Sequence, residues 1–539
     1  VAAPASLEKA YETESQEAAP PETVAANAPT PATVLSLSKA INMAVAQNRD
    51  LAVQAFSPDV AETAIAEARA AFDPTLTATA SYREQNRPGS SSSSTGTTQV
   101  SAGSGTSSNA YQAALETAAD LVQETASLAA AFSDTTPVTT TKDTGVETRV
   151  TQLLPTGTEI FVSGSYSKGE SSLLEESDYA GAWTVGISQP FLRGFGTDAN
   201  LVALRLARND TAINAHDFRA FALDLVQQVE NTYWNLALAQ ETLRIREVSL
   251  ELAEEQKHLN EGLIAVGKLA GSALVSAEAE VARARANLVD AQANLEDQAI
   301  VIWKLLNPEG RPLDAARFEA VALPAATVPT LDTSASVALA MRFRPELAQT
   351  RLDIANSDLT VAQTKNGLLP QLDLFATYGA SSSGVSAGAW NDAYGDTTYD
   401  DVEVGVSFSY TIGNRAERAR YRRATRRQGQ TEASLHSLEQ TVESEIRRAL
   451  VEVNRQKERL AASQQEVRQR EEELHIERDQ FRLGRSTNLD VLQVQRDLIQ
   501  ARVDTASAHV GLLQALTRLY AAEGTLLTRR GIVLENAQE

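Results

Sequence analysis

The chain of 539 residues sets 48 Lys and Arg against 70 Asp and Glu, a formal net charge of −22, with no cysteine, 5% aromatics and a mean hydropathy of −0.24. Without cysteine in these 539 residues, disulfides, thiolate nucleophiles, zinc–thiolate or iron–sulfur sites and a lipidated N-terminal cysteine are not expected. So few aromatics and so much alanine argue against several independent globular cores, and the acidic balance argues against sequence-independent nucleic-acid binding, which needs a basic surface.

No run of about 18 apolar residues offers a membrane-spanning helix, whereas β-barrel strands of about 9–11 alternating residues escape such a scan. Val1-Ala2-Ala3-Pro4 lacks the basic start and apolar core of a signal peptide, so an exported chain is expected to have lost its signal before Val1. Residues 1–33 carry Pro4, Pro20, Pro21, Pro29 and Pro31 without periodicity and are expected to form a disordered or extended linker.

Beyond it the chain repeats itself. Residues 36–82 and 333–378 align at an offset of 296, Leu51 with Leu347, Pro74 with Pro370 and Tyr82 with Tyr378. Each reads as one amphipathic helix of about 36 residues, ended by proline. A strand follows, in which Leu76, Ala78, Ala80 and Tyr82 alternate with Thr75, Thr77, Thr79 and Ser81. Residues 85–145 interrupt the first copy only; 17 of the 20 residues from Gly89 to Ser108 are Gly, Ser or Thr, a composition suited to an exposed face. Two further alternating stretches, 145–154 and 158–168, are joined by Pro155-Thr156-Gly157 and read as an additional hairpin.

Trp183, Val185 and Ile187 then match Val402, Val404 and Val406, and both stretches lead into very long helical patterns, 200–266 and 413–483. The heptad positions Val229, Leu236, Leu243, Leu250 and Ile264 match Ile446, Val453, Leu460, Val467 and Phe481, implying supercoiled packing. After Gly267 and Gly484 the helical pattern resumes, beside alanine stripes at Ala277, Ala284, Ala291 and Ala501, Ala508, Ala515. The organisation is thus a linker (1–33), a first repeat (34–306), a Pro/Ala-rich connector (307–332), a second repeat (333–528) and a C-terminal tail (529–539). The fold class is an α+β membrane protein built from a duplicated helix, strand pair, long helix and short helix.

Four or six strands are too few to close around a lumen, so several chains must share a barrel. In this order of elements, in Gln189-Pro190-Phe191 at a strand end, and in Gly484, Asn488, Leu489, Asp490, Val491 and Leu492, the chain resembles the TolC family of trimeric outer-membrane efflux ducts. The resemblance covers residues 34–528. It implies a homotrimer with a shared outer-membrane β-barrel, continued by a periplasmic α-helical barrel with the connector in its equatorial region. It further implies docking to a periplasmic adaptor (membrane fusion) protein and an inner-membrane transporter. Family members carry four strands per chain, twelve per trimer; the additional hairpin departs from that and either extends the rim or gives eighteen.

The resemblance also selects residues. Val266, Gly267 and Lys268, with Leu483, Gly484 and Arg485, match tip positions that touch the adaptor in the family, although glycine there also serves as a plain helix cap. Asp490 matches a ring of aspartates at the periplasmic entrance, an electrostatic gate; the second acidic ring position is Gln493 here, and Asp490 equally suits a helix N-terminus. Arg415, Arg418, Arg420, Arg422, Arg423, Arg426 and Arg427 crowd a helix start, where they oppose the dipole. They form a basic belt, expected just below the membrane, facing lipid headgroups, acidic neighbouring chains or solvent. Tyr82, Trp183, Tyr378 and Tyr410 are candidates for an aromatic girdle against outer-membrane lipid, or for plain packing.

No Walker sequence, HExxH or Gly-x-Ser-x-Gly elbow is present, and the five histidines lack metal-ligand spacing. No enzyme, cofactor, metal or nucleic-acid partner is expected. The expected function is a passive duct of a tripartite efflux or type I secretion system; the alternative is a trimeric coiled-coil adhesin or fibre.

Overall fold

The computed structural model describes residues 33–87, 139–171, 176–307, 318–321, 323–324, 332–385 and 399–533. The expected linker, apart from Thr33, the Gly/Ser/Thr-rich stretch, most of the connector and the end of the tail lie outside the described residues. In chain order the elements are β1 (Thr33–Leu35), α1 (Leu37–Gln47), α2 (Arg49–Ala70), β2 (Thr75–Arg87), β3 (Thr139–Leu153), β4 (Glu159–Ser171), β5 (Asp178–Pro190), α3 (Thr197–Asn200), α4 (Val202–Ala265) and α5 (Ser272–Leu306). There follow β6 (Phe318–Ala320), α6 (Thr333–Phe343), α7 (Pro345–Asn366), β7 (Gln371–Gly384), β8 (Tyr399–Ser409), α8 (Arg415–Arg482), α9 (Asn488–Ala522) and α10 (Leu526–Arg529).

The expected single helix before each strand is in fact two, a correction in both repeats. Asn48 and Arg344, related by the same offset, break the helix with φ −67°, ψ 124° and φ −68°, ψ 124°. Pro345 pushes the preceding Arg344 out of the helical region. At Asn48 a side-chain bond does the work: its Nδ2 donates to the Leu305 carbonyl at 3.0 Å.

The described chain divides into two compact units that cut across the repeats. One comprises Asp50–Leu225, Thr330–Val451 and Leu519–Glu539. Its centre is a six-stranded antiparallel sheet in the order β2-β3-β4-β5-β7-β8. Here β3 begins at Thr139, earlier than the alternation at 145 suggests, because Thr139–Lys142 pair with Glu84–Arg87 despite offering no apolar side. The β3–β4 hairpin turns through Pro155–Gly157, Gly157 having φ 90° and donating to Leu154 at 2.8 Å.

Residues directly opposite one another in an antiparallel ladder share a face. One row crosses all six strands as Leu76, Val150, Val162, Val185, Tyr378 and Val402; the adjacent row, on the other face, runs Thr77, Arg149, Ser163, Thr184, Gly379 and Asp401. Val162, Val185, Tyr378 and Val402 are exposed in the single chain. On the polar face the rings of Phe161 and Phe375 lie over Gly186 and Gly405 on the next strand, where an added Cβ would strike the ring. Gly405→Val is therefore expected to dislodge Phe375 and destabilise the sheet by about 1–3 kcal/mol, read as earlier loss of strand signal on heating.

Beside the sheet, hydrogen bonds order four helices as they order the strands. Ser57 of α2 donates to Asn214 of α4 at 3.0 Å, and Thr211 of α4 to Ala61 of α2 at 3.1 Å. Asn209 of α4 donates to Asn356 of α7 at 2.8 Å, and Gln428 of α8 to Asp358 of α7 at 2.6 Å. The sequence α2-α4-α7-α8 thus leaves α2 and α8 at the outer edges.

The other unit comprises Val1–Arg49, Val226–Pro329 and Glu452–Arg518. Its helices pack through the heptad and alanine stripes: Val229, Leu236, Val453, Ala277, Ala284, Ala501 and Ala508 are all buried. Alanine lets helices approach closely, so the walls need few large apolar groups. Short strands β1 and β6 pair in parallel. The buried Tyr233 hydroxyl donates to the Leu35 carbonyl at 3.1 Å and accepts from the Val321 amide at 3.2 Å. One heptad on, Gln240 accepts from the Ala320 amide at 3.0 Å. Helices α4 and α8, of 64 and 68 residues, run about 96 and 102 Å at 1.5 Å per residue.

Candidate functional site

The two helix ends flanking the tips have the same geometry. Gly267 (φ 73°) donates to the Ile264 carbonyl at 2.9 Å and Lys268 to Leu263 at 2.9 Å; Gly484 (φ 71°) donates to Phe481 at 3.0 Å and Arg485 to Gln480 at 2.8 Å. These paired bonds satisfy the last helical carbonyls, and the left-handed glycine makes them possible. The caps leave apolar side chains in solvent: Val266 is 67% and Leu483 70% exposed. Lys268 and Arg485 sit where a cation complements the negative end of the helix dipole.

Thr487 and Asp490 start α9 as a reciprocal capping pair. The Asp490 carboxylate accepts from the Thr487 amide at 3.2 Å and hydroxyl at 2.6 Å, while the Asp490 amide donates to the Thr487 Oγ1 at 3.3 Å. Those bonds hold the exposed Asp490 carboxyl below its ordinary value, the side-chain bond contributing most. One turn on, Gln493 donates to Asp497 at 3.3 Å and accepts from Arg496 at 2.6 Å.

Between the tips lies a buried amide cluster that sequence reasoning missed. Asn488 accepts from Gln256 at 3.1 Å and Asn260 at 2.9 Å and donates to Ser276 at 3.0 Å, and all three amides are at most 5% exposed. It ties α4, α5 and the start of α9 at one point.

Farther along α8, Glu452 accepts from Arg455 and Gln456, which drop its carboxyl to about 2. A depressed carboxylate stabilises above its unfolded value and loses that contribution as pH falls through the folded one. Acid titration of helicity is accordingly expected to show this contribution fading from about pH 4.5 and gone by about pH 2.

The belt arginines Arg415, Arg418, Arg420, Arg422, Arg423, Arg426 and Arg427 occupy the first 13 residues of α8 and are all exposed. Arg420 pairs with Glu417 at 2.6 Å. Among the described residues, the other six have no carboxylate within 4 Å.

Of the girdle candidates, Tyr82, Trp183 and Tyr378 lie on the apolar face of the sheet and Tyr410 just past the end of β8. Trp183 and Tyr378 meet edge to face at 5.5 Å. Tyr166 and Tyr179, not among the sequence candidates, lie 6.3 Å apart near the Tyr82 end of the ladder.

The family model described as "Outer membrane efflux protein" matches residues 157–307 and 336–525. The chain is 27% identical over 312 residues to the proteases secretion protein PrtF of Dickeya chrysanthemi, covering 57% of this chain and 66% of that one. It is 25% identical over 374 residues to the outer membrane efflux protein BepC of Brucella suis, covering 67% and 77%. The match thus spans about two thirds to three quarters of these relatives' lengths. The fold is similar to that of the Campylobacter jejuni CmeC outer membrane channel, with TM-score 0.61 at 14% identity over 93% of this chain and 87% of that one. With well over half its residues inside the family model, this chain belongs to the outer membrane efflux protein family, and its place is the outer membrane.

Proposed function

We propose that three copies close a single eighteen-stranded barrel, the passive exit duct of an efflux or secretion assembly. The observation that carries this is the pair of adjacent rows, one apolar and one polar, running unbroken across six strands whose outer members β2 and β8 are edges among the described residues. An open edge cannot face lipid, so the sheet must close on further copies. With six strands per chain, β8 of one copy meets β2 of the next antiparallel, which gives an even barrel. The polar row, with Arg149 and Asp401, then faces the lumen, and Tyr82, Trp183, Tyr378 and Tyr410 meet outer-membrane lipid.

In this reading Val266, Gly267, Lys268, Leu483, Gly484 and Arg485 present the tips to a periplasmic adaptor coupled to an inner-membrane transporter. Asp490 and Gln493 constrict the entrance, Asp490 serving also as the cap of α9. The duct carries out no chemistry of its own, in line with a sequence that holds no catalytic motif. The relatives include both a secretion protein and an efflux protein, so the cargo class stays open between protein and small solute. A surface fibre would need neither the apolar row nor the edge strands.

The purified protein in planar bilayers should conduct, with cations preferred, and should migrate as a heat-modifiable trimer in detergent. A monodisperse, non-conducting rod would overturn the reading. If Asp490→Ala leaves conductance and its sensitivity to divalent cations unchanged, the gate assignment falls while the duct stands.

A further inference from the structure

We infer that the arginine belt is an intersubunit lock whose partner is the acidic edge helix α2 of the next copy. The inference rests on the shared-barrel reading and adds to it the contact that fixes neighbouring copies below the sheet.

Three observations converge on α2. First, the strand order β2…β8 and the helix order α2-α4-α7-α8 end on the same two segments: α2 runs directly into β2, and α8 follows directly from β8. Any pairing of β8 with the next copy's β2 therefore sets the first turns of α8 beside the last turns of that copy's α2. Second, the charges are complementary and, apart from the Arg420–Glu417 pair, unpaired among the described residues of one chain. From Arg415 to Arg427 there are seven Arg against Glu417, a net of +6; from Asp59 to Asp73 there are Asp59, Glu62, Glu67 and Asp73 against Arg69, a net of −3. Among the described residues, none of those four carboxylates has a cationic partner within 4 Å. The two charged stretches, 13 and 15 residues, span about 18 and 21 Å of chain. Third, the outer side of α2 leaves Val53, Phe56 and Val60 71%, 67% and 67% exposed, an apolar strip spaced for one helix face that the described residues do not cover. A basic helix start is disfavoured by its own dipole, and a neighbouring acidic helix offsets that penalty where solvent screens it less.

The test starts from the chain's lack of cysteine. Thr77→Cys with Ser407→Cys reports strand pairing between copies, and Glu67→Cys with Arg418→Cys reports the helix contact; both pairs are expected to give covalent trimers on oxidation. The charge-reversed chain R418E/R422E/R426E should lose its detergent-resistant trimer at a temperature lower by about 5 °C or more. Adding D59R/E62R/E67R to that chain should restore it. Strand cross-linking without helix cross-linking, or a double reversal as weak as the single one, overturns the lock and leaves the barrel intact. If reversal spares the trimer and instead weakens binding to vesicles containing anionic phospholipid, the belt's partner is lipid and the lock is overturned. Failure of both cysteine pairs removes the barrel reading along with it.

Discussion

Val185→Arg is expected to abolish the membrane-embedded trimer, while Thr184→Arg, one residue away, leaves it in place. Val185 stands in the middle of the apolar row, between Val162 and Tyr378, and Thr184 in the polar row, between Ser163 and Gly379. An arginine on the lipid side near the bilayer midplane costs about 2–4 kcal/mol per copy, so about 6–12 kcal/mol in a three-copy barrel, whereas a lumen position is solvated. The measurement is the amount of heat-modifiable trimer in the outer-membrane fraction for the two variants. Equal loss in both would sink the assignment of faces; loss for Thr184→Arg alone would invert the sheet.

The second large effect belongs to Asn488. Replacing it with Ala removes the acceptor shared by Gln256 and Asn260, both buried, and strands one N–H of each, Gln256 still donating to Asn260 at 3.0 Å and Asn260 to the Ala273 carbonyl at 3.4 Å. Leaving such groups without a partner costs about 2–4 kcal/mol. The loss is concentrated where α4, α5 and α9 meet, so hydrogen exchange should accelerate around residues 256–276 and 487–495 and stay unchanged in the sheet. Unaltered exchange near the tip would mean that the cluster adds nothing to its rigidity. Under the gate reading, a loosened tip also raises resting conductance, which separates a mechanical role for Asn488 from a purely local one.

Much of this was legible because the chain states it twice. Pro74 and Pro370 marked the change from helical to alternating period, and the alternation of Val402, Val404 and Val406 with polar or glycine positions placed them on one side of a strand. What escaped lacked a periodic signature. The start of β3 is polar on both faces and is held by its partner β2, so no pattern announces it. The break at Asn48 has no proline, unlike its counterpart before Pro345, and depends on a bond to Leu305, 257 positions away. Asn488 stood out only as part of the tip pattern, Gln256 and Asn260 occupy unremarkable polar positions, and only tertiary packing brings the three amides together. Tyr233 carries no local sign of the bridge that its hydroxyl makes between Leu35 and Val321. Asp490 was legible as a helix start, and its bonds with Thr487 are that cap; its place in the entrance belongs to the proposed duct.

The β3–β4 hairpin has a consequence for how such a pore can change size. Both helices that flank the first strand set, α2 and α4, must emerge on the same side of the membrane, so the strands between them can be added only in pairs. A lone extra strand would deliver the next helix to the wrong compartment. Per three-copy ring, the admissible strand counts therefore advance in steps of six. Because barrel diameter grows nearly in proportion to strand number, going from twelve to eighteen widens the aperture by about half. On the eighteen-stranded reading proposed above, the bore of this architecture is quantised, and one inserted hairpin moves it by one whole increment while the number of tunnel helices stays the same.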